Sequence, residues 1–289
     1  MRIVKTIKQL RQTLSEARRR KKKVGFVPTM GYFHEGHLSL MRQAKKECDI
    51  CVVSIYVNPK QFDRKEDLKH YPRDIKRDAT MIAKENVDIL FIPSDNDLYP
   101  NCYLTYIDVE RISNTLCGKY RPGHFRGVAT IVAKLLNMVQ PDVMYLGQKD
   151  AQQVVVLKRM TEDLNLPVSI RVVPTAREKD GLAMSSRNVH LGTQERSGAP
   201  VLYRALKDAA IRVQAGERSA GKIAAIIQRT ITKHSVGKVQ YVACVDAETL
   251  EPLRLLKGKV LIALSVFFGK TRLIDNVIIL IKKASEVQD

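Results

Sequence analysis

Two histidines near the N-terminus carry the strongest chemical signal in this sequence. A helix N-terminus offers unpaired backbone N–H groups and the positive end of the helix dipole, so it favours an anion. Two imidazoles three residues apart there would add donors for the charge that develops on a phosphorus under attack. A lone His-x-x-His is more often a metal site or without function. Because this one lies between a predicted strand and a predicted helix, phosphate binding is favoured over metal binding. The run is Pro28-Thr29-Met30-Gly31-Tyr32-Phe33-His34-Glu35-Gly36-His37.

The common nucleotide-binding motifs do not occur here. The sequence has no G-x-x-x-x-G-K-[ST] segment and no G-x-G-x-x-G after the first predicted strand. If the protein binds a nucleotide, the histidine turn must supply the phosphate contacts.

Four further polar clusters lie near the ends of predicted strands or the starts of predicted helices. Each has an ordinary structural explanation: turn amides, a helix N-cap at Asp150, a basic surface loop, or a polar linker. The carboxyl ends of parallel strands meet at one edge of a sheet. The joint placement of the four clusters near such ends therefore favours a single crevice for a ligand. Amides there can orient a hydroxylated carboxylate, and hydroxyls with a guanidinium suit a polyphosphate. The clusters are Asn58-Pro59-Lys60-Gln61-Phe62, Arg121-Pro122-Gly123-His124-Phe125-Arg126-Gly127, Gly147-Gln148-Lys149-Asp150 with Gln152 and Gln153, and Met184-Ser185-Ser186-Arg187-Asn188.

Hydrophobic periodicity predicts an α/β fold with a doubly wound, Rossmann-like parallel sheet over residues 1–175. Residues 50–57 form a continuous β-branched run, typical of a strand buried on both faces. Further strands are predicted at 24–28, 89–92, 143–146 and 168–173. Helices are predicted at 6–20, 37–46, 74–85, 128–139 and 150–164.

The pattern changes after Pro174. A polar stretch at 175–192 precedes predicted helices at 199–215 and 220–233 and strands at 239–245 and 260–268. We expect residues 176–289 to form a smaller α+β domain that acts as a lid, with the polar stretch at the junction.

Composition narrows the class of protein. The 289 residues are 45% hydrophobic, without a secretory signal pattern or an apolar run of the ~18 residues that span a bilayer, so we expect a cytoplasmic protein with no membrane partner. The five cysteines are scattered, which agrees with a reducing compartment. Cys48 and Cys51 could form a redox pair or half a zinc site, but no second pair completes it, and buried small side chains are the better interpretation.

The formal net charge of +19 would attract nucleic acid, anionic membranes and phosphate-bearing substrates alike. Its densest block is residues 18–23, which has no interleaved aromatic side chains to stack on bases. We therefore expect these cations to complement the C-terminal dipole of the first helix, and no nucleic-acid partner. The overall excess of charge has no functional explanation from sequence.

Taken in order, the motifs resemble the pantothenate synthetase family, also called pantoate-beta-alanine ligases. The resemblance runs over nearly the whole chain and is specific, because the His-x-Gly-His turn alone would indicate only a wider nucleotidyl-transferring superfamily. Besides the clusters above, it includes Tyr71-Pro72-Arg73, Asp180-Gly181-Leu182-Ala183 before Met184, and Gly269-Lys270-Thr271-Arg272-Leu273-Ile274-Asp275-Asn276.

The resemblance implies a reaction and a set of partners. Members condense pantoate with β-alanine, using ATP and a divalent cation, usually Mg²⁺, through a pantoyl-adenylate that forms with release of pyrophosphate and later yields AMP. They are typically homodimers. The metal ligands in this chain stay unassigned: Asp78 could contact the cation, or it could lie on a solvated helix face.

The resemblance also implies site residues. His34 and His37 would lie at the phosphates, His37 as proton donor, and Lys149 near the reacting groups. The other nucleotide contacts would be Met30, Gly31, Tyr32, Phe33, Glu35, Gly36, Gly147, Gln148, Asp150, Ala176 (through its backbone), Met184, Ser185, Ser186 and Arg187. Pantoate would be held by Gln61 and Gln153, with Asn58, Tyr71, Arg121 and His124 as weaker substrate candidates. The pair Tyr32-Phe33 departs from the smaller residues of many members, which could reshape the adenine entrance.

Three hypotheses follow. An amide-forming ligase would exchange pyrophosphate into ATP when pantoate is present. A nucleotidyltransferase would use a phosphorylated acceptor and release no AMP. A basic nucleic-acid-binding module would need no ATP and would bind oligonucleotides with a steep salt dependence.

Overall fold

The computed structural model describes residues 1–281 and divides them into two compact units. Unit 1 comprises Met1–Asn114, Gly118–Gln148 and Val156–Pro174. Unit 2 comprises Thr115–Cys117, Lys149–Val155 and, among the described residues, 175–281.

Unit 1 contains a six-stranded parallel sheet. Apolar side chains cover both faces of its central strands, as the continuous β-branched runs predict. Its order is β1-β4-β3-β2-β5-β6, so the chain moves outward from β2 on one side and then outward from β5 on the other. The strands are β1 (Arg2–Val4), β2 (Val24–Thr29), β3 (Ile50–Ile55), β4 (Ile89–Phe91), β5 (Val143–Gly147) and β6 (Ser169–Val173).

The reversal of strand order places β2 and β5 side by side. Gly25 pairs with Val143 and Phe26 with Met144. The carboxyl ends of two such neighbours border the crevice in which doubly wound sheets bind ligands. The histidine turn follows β2, and Gly147 ends β5.

Amphipathic helices connect these strands. The second helix buries Leu38, Met41 and Ala44 in a core shared with Val27 and Val53 of the sheet. The helices are α1 (Ile7–Arg19), α2 (Glu35–Glu47), α3 (Lys65–Lys69), α4 (Ile75–Lys84), α5 (Asp95–Leu98), α6 (Leu116–Tyr120), α7 (His124–Val139) and α8 (Ala151–Asp163).

Unit 2 pairs helices with a small antiparallel sheet. Leu206, Ile223 and Ile227 of its helices share a core with Val260 and Leu264 of its central strand. The sheet order is β7-β8-β9. The elements are α9 (Thr193–Gly198), α10 (Val201–Gln214), α11 (Ala220–His234), β7 (Lys238–Asp246), β8 (Gly258–Phe268) and β9 (Thr271–Ile281).

These observations confirm the predicted fold class, a Rossmann-like sheet with a smaller α+β part. The sequence patterns missed β1 and β9. The expectation of a basic loop at 121–127 was wrong in its second half, because α7 begins at His124. Gly123, with φ 77°, makes the left-handed bend that allows this early start.

Two of the cysteines lie in the core of unit 1. Cys48 and Cys51 are free and buried, as expected of small core side chains, and burial raises the pKa of the Cys51 thiol to about 12. Among the described helices, none combines the length and the apolar character that a bilayer crossing needs.

Candidate active site

The turn after β2 bends through two consecutive left-handed residues, Gly31 at φ 78° and Tyr32 at φ 52°. A Cβ on Gly31 would lie 2.9 Å from Asp78 Oδ2 and 3.0 Å from Ile55 Cγ2. Both the backbone angle and the available space therefore require glycine at this position. The bend redirects the chain from the strand into α2.

A buried carboxylate holds this turn in place. Asp78, which is 1% exposed, accepts the N–H of Tyr32 at 2.6 Å and of Phe33 at 2.8 Å. Burial raises the pKa of Asp78, although both amides and the Arg77 guanidinium favour the charged form. Arg77 also donates to the carbonyl of Phe33 at 3.0 Å. The expectation that Asp78 could lie on a solvated helix face is therefore wrong, because its side chain points from α4 onto the turn and is buried there.

His34 and His37 form a reciprocal cap at the start of α2. His34 Nδ1 accepts the N–H of Gly36 at 3.1 Å, and His37 Nδ1 accepts the N–H of His34 at 3.4 Å. The ring centroids lie 4.1 Å apart. Because each Nδ1 accepts a backbone hydrogen, each neutral ring carries its proton on Nε2. The turn thus presents two imidazole N–H donors at the positive end of a helix dipole, a combination suited to phosphate oxygens.

The Asn58 cluster orders the backbone and side chain of Gln61. Asn58 is 1% exposed, and its Nδ2 donates to Gln61 Oε1 and to the Gly127 carbonyl, each at 3.0 Å. Its Oδ1 accepts the Tyr99 hydroxyl at 2.9 Å. Gln61 Nε2 in turn donates to Met30 Sδ at 3.3 Å. The bond to Met30 therefore places the Gln61 side chain beside the histidine turn, and the bond from Asn58 fixes the orientation of the Gln61 amide.

His124 and Arg121 also converge on Gln61. His124 Nδ1 lies 2.7 Å from the Gln61 carbonyl oxygen, which can only accept, so this nitrogen carries the proton. Arg121 donates to Asp63 at 2.9 Å and lies 3.2 Å from His124 Nε2. Tyr71 is buried, and its ring centroid lies 5.7 Å from that of Phe62, the residue after Gln61. These side chains support the shape of the Gln61 segment within unit 1.

Lys149 is half-buried at the carboxyl end of β5. β5 ends at Gly147, and the 3-10 helix Gln148–Asp150 leads into α8. Burial lowers the pKa of Lys149; the carboxylate of Asp150 opposes this shift, the cation of Arg187 adds to it, and Asp275 opposes it. A cation with a depressed pKa exchanges a proton or stabilises negative charge more readily than a solvated lysine.

The two glutamines that open α8 have different surroundings. Gln152 is 5% exposed, accepts the N–H of Cys117 at 2.9 Å and donates to the Thr115 carbonyl at 2.8 Å. Gln153 is half-buried and takes no part in these bonds. The first amide is structural, and the second is the better candidate for a substrate contact.

The polar segment after Thr175 forms a short hairpin in unit 2. Met184 N donates to the Ala176 carbonyl at 3.0 Å, and Arg177 and Ala183 form an antiparallel bridge. Ser185 Oγ accepts the N–H of Arg187 at 3.3 Å and so caps the 3-10 helix Ser186–His190. The hairpin therefore joins the predicted adenine contact, Ala176, to the predicted phosphate contacts.

Unit 1 thus gathers Met30, the histidines, Gln61 and its supports. Unit 2 gathers Lys149 with Arg187 and joins Ala176 to Met184. The motifs did not reveal the clamp by Asp78 on the turn or the ion pair between Arg177 and Asp275. For Asp275 a signal existed, since an acid interrupts an otherwise apolar alternation in its strand.

Comparison with known sequences decides the family. A sequence-family model described as Pantoate-beta-alanine ligase matches residues 2–278. The chain belongs to the pantoate-beta-alanine ligase family. This confirms the resemblance drawn from the ordered motifs.

Bacterial members of the ligase family match almost the whole chain. The pantothenate synthetase of Heliobacterium modesticaldum is 53% identical over 279 residues, which cover 96% of this chain and 99% of the relative. The pantothenate synthetase of Thermosipho melanesiensis is 51% identical over 279 residues, with the same two coverages.

Solved structures of the ligase family share the fold. Pantothenate synthetase from Thermus thermophilus has a TM-score of 0.91 at 42% identity, covering 96% of this chain and 99% of its own. Pantoate-beta-alanine ligase from Francisella tularensis, complexed with beta-gamma ATP and beta-alanine, has a TM-score of 0.78 at 36% identity. The match covers 96% of this chain and 97% of that one.

The ligase offers no preformed metal cage in the part of the chain that the structure describes. Residues 1–281 contain no group of three or more His, Cys, Asp or Glu side chains placed to hold an ion. Mg²⁺ commonly binds through substrate phosphates, water and one or two carboxylates. A cation bound in that way needs no preformed cage of protein ligands.

Proposed function

We propose that this ligase condenses pantoate with β-alanine, using ATP, through a pantoyl-adenylate. Family membership over residues 2–278 supports the reaction. The observation that carries the site is the cap at α2, where both Nδ1 atoms accept backbone hydrogens, so that each neutral imidazole carries its proton on Nε2. Such donors favour a phosphate over a metal ion, which would need an unprotonated ring nitrogen.

In the first step a pantoate carboxylate oxygen attacks the α-phosphorus of ATP. The new O–P bond forms as the bond to the β-phosphate oxygen breaks, and pyrophosphate leaves. His34 and His37 donate to phosphate oxygens as their charge grows, and Lys149 supplies a fixed cation. We assign the remaining nucleotide contacts to Met30, Gly31, Tyr32, Phe33, Glu35, Gly36, Gly147, Gln148, Asp150, Ala176, Met184, Ser185, Ser186 and Arg187.

In the second step the β-alanine amine attacks the acyl carbon of the adenylate. The C–N bond forms, the C–O bond to phosphate breaks, AMP leaves with its electron pair, and the amine nitrogen releases one proton to solvent. Gln61 and Gln153 hold pantoate through directional amide hydrogen bonds, and Gln61 also borders the incoming amine. Asn58, Tyr71, Arg121 and His124 serve by shaping the Gln61 segment, which their contacts with Gln61 or Phe62 support.

Exchange of labelled pyrophosphate into ATP tests the proposal. The ligase should catalyse exchange with pantoate present and β-alanine absent, because the first step is then reversible and complete by itself. Exchange that is independent of pantoate, or amide formation without AMP release, would overturn the adenylate route. A nucleotidyltransferase would need a phosphorylated acceptor, and a nucleic-acid-binding module would show no exchange.

Several further features belong to this proposal. We place Mg²⁺ with the ATP phosphates, where it would neutralise charge. We expect a cytoplasmic enzyme that assembles as a homodimer, on the pattern of its family. The segment 175–192 and the domain at 176–289 are proposed to act as a lid that protects the mixed anhydride from water.

A further inference from the structure

The last strand of unit 2 carries two adjacent buried polar side chains that the proposed reaction does not use. Asp275 is 2% exposed and Asn276 is 5% exposed. Strand alternation places Asp275 on the same face of β9 as Leu273 and Ile279, which belong to the hydrophobic core. A carboxylate in an apolar row is costly unless it is paired, so its partner matters.

Asp275 is paired with Arg177 of the hairpin. The guanidinium donates to both carboxylate oxygens, at 2.7 Å and 2.9 Å. The same guanidinium donates to the Gly181 carbonyl at 3.1 Å and lies 3.8 Å from the centroid of the Tyr203 ring. This bidentate geometry fixes the direction of the Arg177 side chain as well as its position.

Fixing Arg177 fixes the phosphate segment. Arg177 bridges Ala183 across the hairpin, and Met184 follows with its N–H bonded to Ala176. The 3-10 helix Ser186–His190, which carries Arg187, packs against β9. Asp275 therefore holds, through one ion pair, the segment that we assign to ATP.

Asn276 holds the other segment. Its Nδ2 donates to the carbonyl oxygen of Lys149 at 2.9 Å, and its own N–H donates to Asp275 Oδ1 at 2.8 Å. Consecutive residues of a strand point to opposite faces. Asp275 can therefore bind Arg177 of the hairpin while Asn276 binds the backbone of Lys149.

We propose that Asp275 and Asn276 are positioning residues that hold Lys149 and the 184–187 segment in register for adenylation. This inference rests on the roles proposed above for Lys149 and Arg187. The charges around Lys149 support this inference. Partial burial lowers the pKa of Lys149 and the Arg187 cation lowers it further, whereas the carboxylates of Asp150 and Asp275 raise it. Asp275 thus helps Lys149 to remain a cation.

The first test compares three full-length variants in the pantoate-dependent exchange assay. Asn276→Ala and Arg177→Lys should each lower kcat roughly 10- to 100-fold, the scale of a misplacement of about 1 Å, with a smaller change in the KM for pantoate. Ile278→Ala is the matched control, since Ile278 lies on the same face of β9 as Asn276 and is 37% exposed. It should leave kcat within about twofold of the parent.

The second test uses the pH profile, which a purely structural role would not move. Deprotonation of Lys149 should set the alkaline limb of the kcat profile. Asp275→Asn removes a carboxylate that favours the charged form of Lys149, so this limb should move to lower pH. Arg177→Lys retains that carboxylate, so its alkaline limb should stay with the parent although its kcat falls. Melting temperatures of all variants separate these effects from loss of folded protein.

The outcomes are distinguishable. If Asn276→Ala and Arg177→Lys both keep kcat within twofold of the parent while Lys149→Ala is inactive, this inference fails and the proposed function stands. A parent without pantoate-dependent exchange, or a fully active Lys149→Ala, would instead refute the proposed function or the role of Lys149. Should Asp275→Asn not fold, an unchanged kcat in the other two variants still overturns the inference.

Discussion

His34 has two separable tasks at the start of α2. Its Nδ1 caps the helix by accepting the N–H of Gly36, and its Nε2 is the proposed phosphate donor. An asparagine side chain at this position could accept the N–H of Gly36 and so perform the first task. It has no imidazole N–H to donate to the phosphate, so it could not perform the second.

Replacement of His34 should therefore separate stability from turnover. His34→Asn should retain the free energy of unfolding of the parent, whereas His34→Ala should lose about 1 kcal/mol with its cap. Both should lose roughly 10²- to 10³-fold in pantoate-dependent exchange, the scale of one lost transition-state donor. Urea unfolding and exchange rates check the two effects. An active His34→Asn would show that the imidazole only caps.

His37 should matter more for turnover than for folding. His37→Ala removes the proposed proton donor and should lower turnover by roughly 10²- to 10³-fold. Ser39→Ala on the same helix is the control, because its hydroxyl only returns to the Gly36 carbonyl. Steady-state rates of both variants check this, and near-normal turnover of His37→Ala would reject a catalytic role.

At this scale the sequence reveals residue types but not their partners. The motif identified His34 and His37, and general rules for helix ends predicted an anion. The protonated nitrogen of each ring could not be predicted, because it depends on which backbone amide each Nδ1 meets. Asn58 shows the same limit, since its hydroxyl partner Tyr99 lies in a distant segment.

The close contact between α7 and the 3-10 helix Pro59–Gln61 sets the position of Gln61. A Cβ on Gly127 would lie 2.3 Å from the Lys60 carbonyl oxygen and 2.7 Å from Gln61 Cα, both backbone atoms that cannot yield easily. Glycine at this point of α7 therefore determines how closely the two elements approach.

Gly127→Ala should displace Gln61 and loosen unit 1. We expect a loss of about 1–3 kcal/mol in the free energy of unfolding, as for other overpacked sites, and a higher KM for pantoate. At Gly221, in α11, a new methyl group would meet Ser219 Oγ at 4.0 Å, an ordinary van der Waals contact, so Gly221→Ala should be neutral or stabilising by up to about 1 kcal/mol. Urea denaturation and pantoate titrations test the pair; equal behaviour of both variants would contradict the packing argument.

Elements were predictable where one pattern dominated. Residues 50–57 and the helical spacing in α2 gave strong signals because core burial alone determines them. β9 was missed because Arg272, Asp275 and Asn276 interrupt its alternation, and only their partners in unit 2 make these positions compatible with a strand. The start of α7 was missed because Gly123, rather than a side-chain cap, begins it.

The whole molecule carries a formal net charge of +19. In the described part of the chain no interleaved aromatic residues accompany the block at 18–23, and Arg18 instead donates to the Val139 carbonyl at 2.8 Å. The charge is therefore better understood as a general positive field. Such a field raises the local concentration of anionic substrates, and the enrichment is larger for a more highly charged anion.

This field should make the kinetics of the ligase sensitive to salt in a graded way. Between about 0.01 M and about 0.15 M KCl the Debye length falls from about 30 Å to about 8 Å, so kcat/KM for ATP should fall several-fold. The value for pantoate, a monoanion, should fall less, and that for β-alanine, a zwitterion without net charge, should hardly change. The zwitterion is the internal control, measured with the same enzyme in the same buffers. If all three values fell together, the salt would be acting on the fold or on the chemical step, and the positive field would have no part in recruiting ATP.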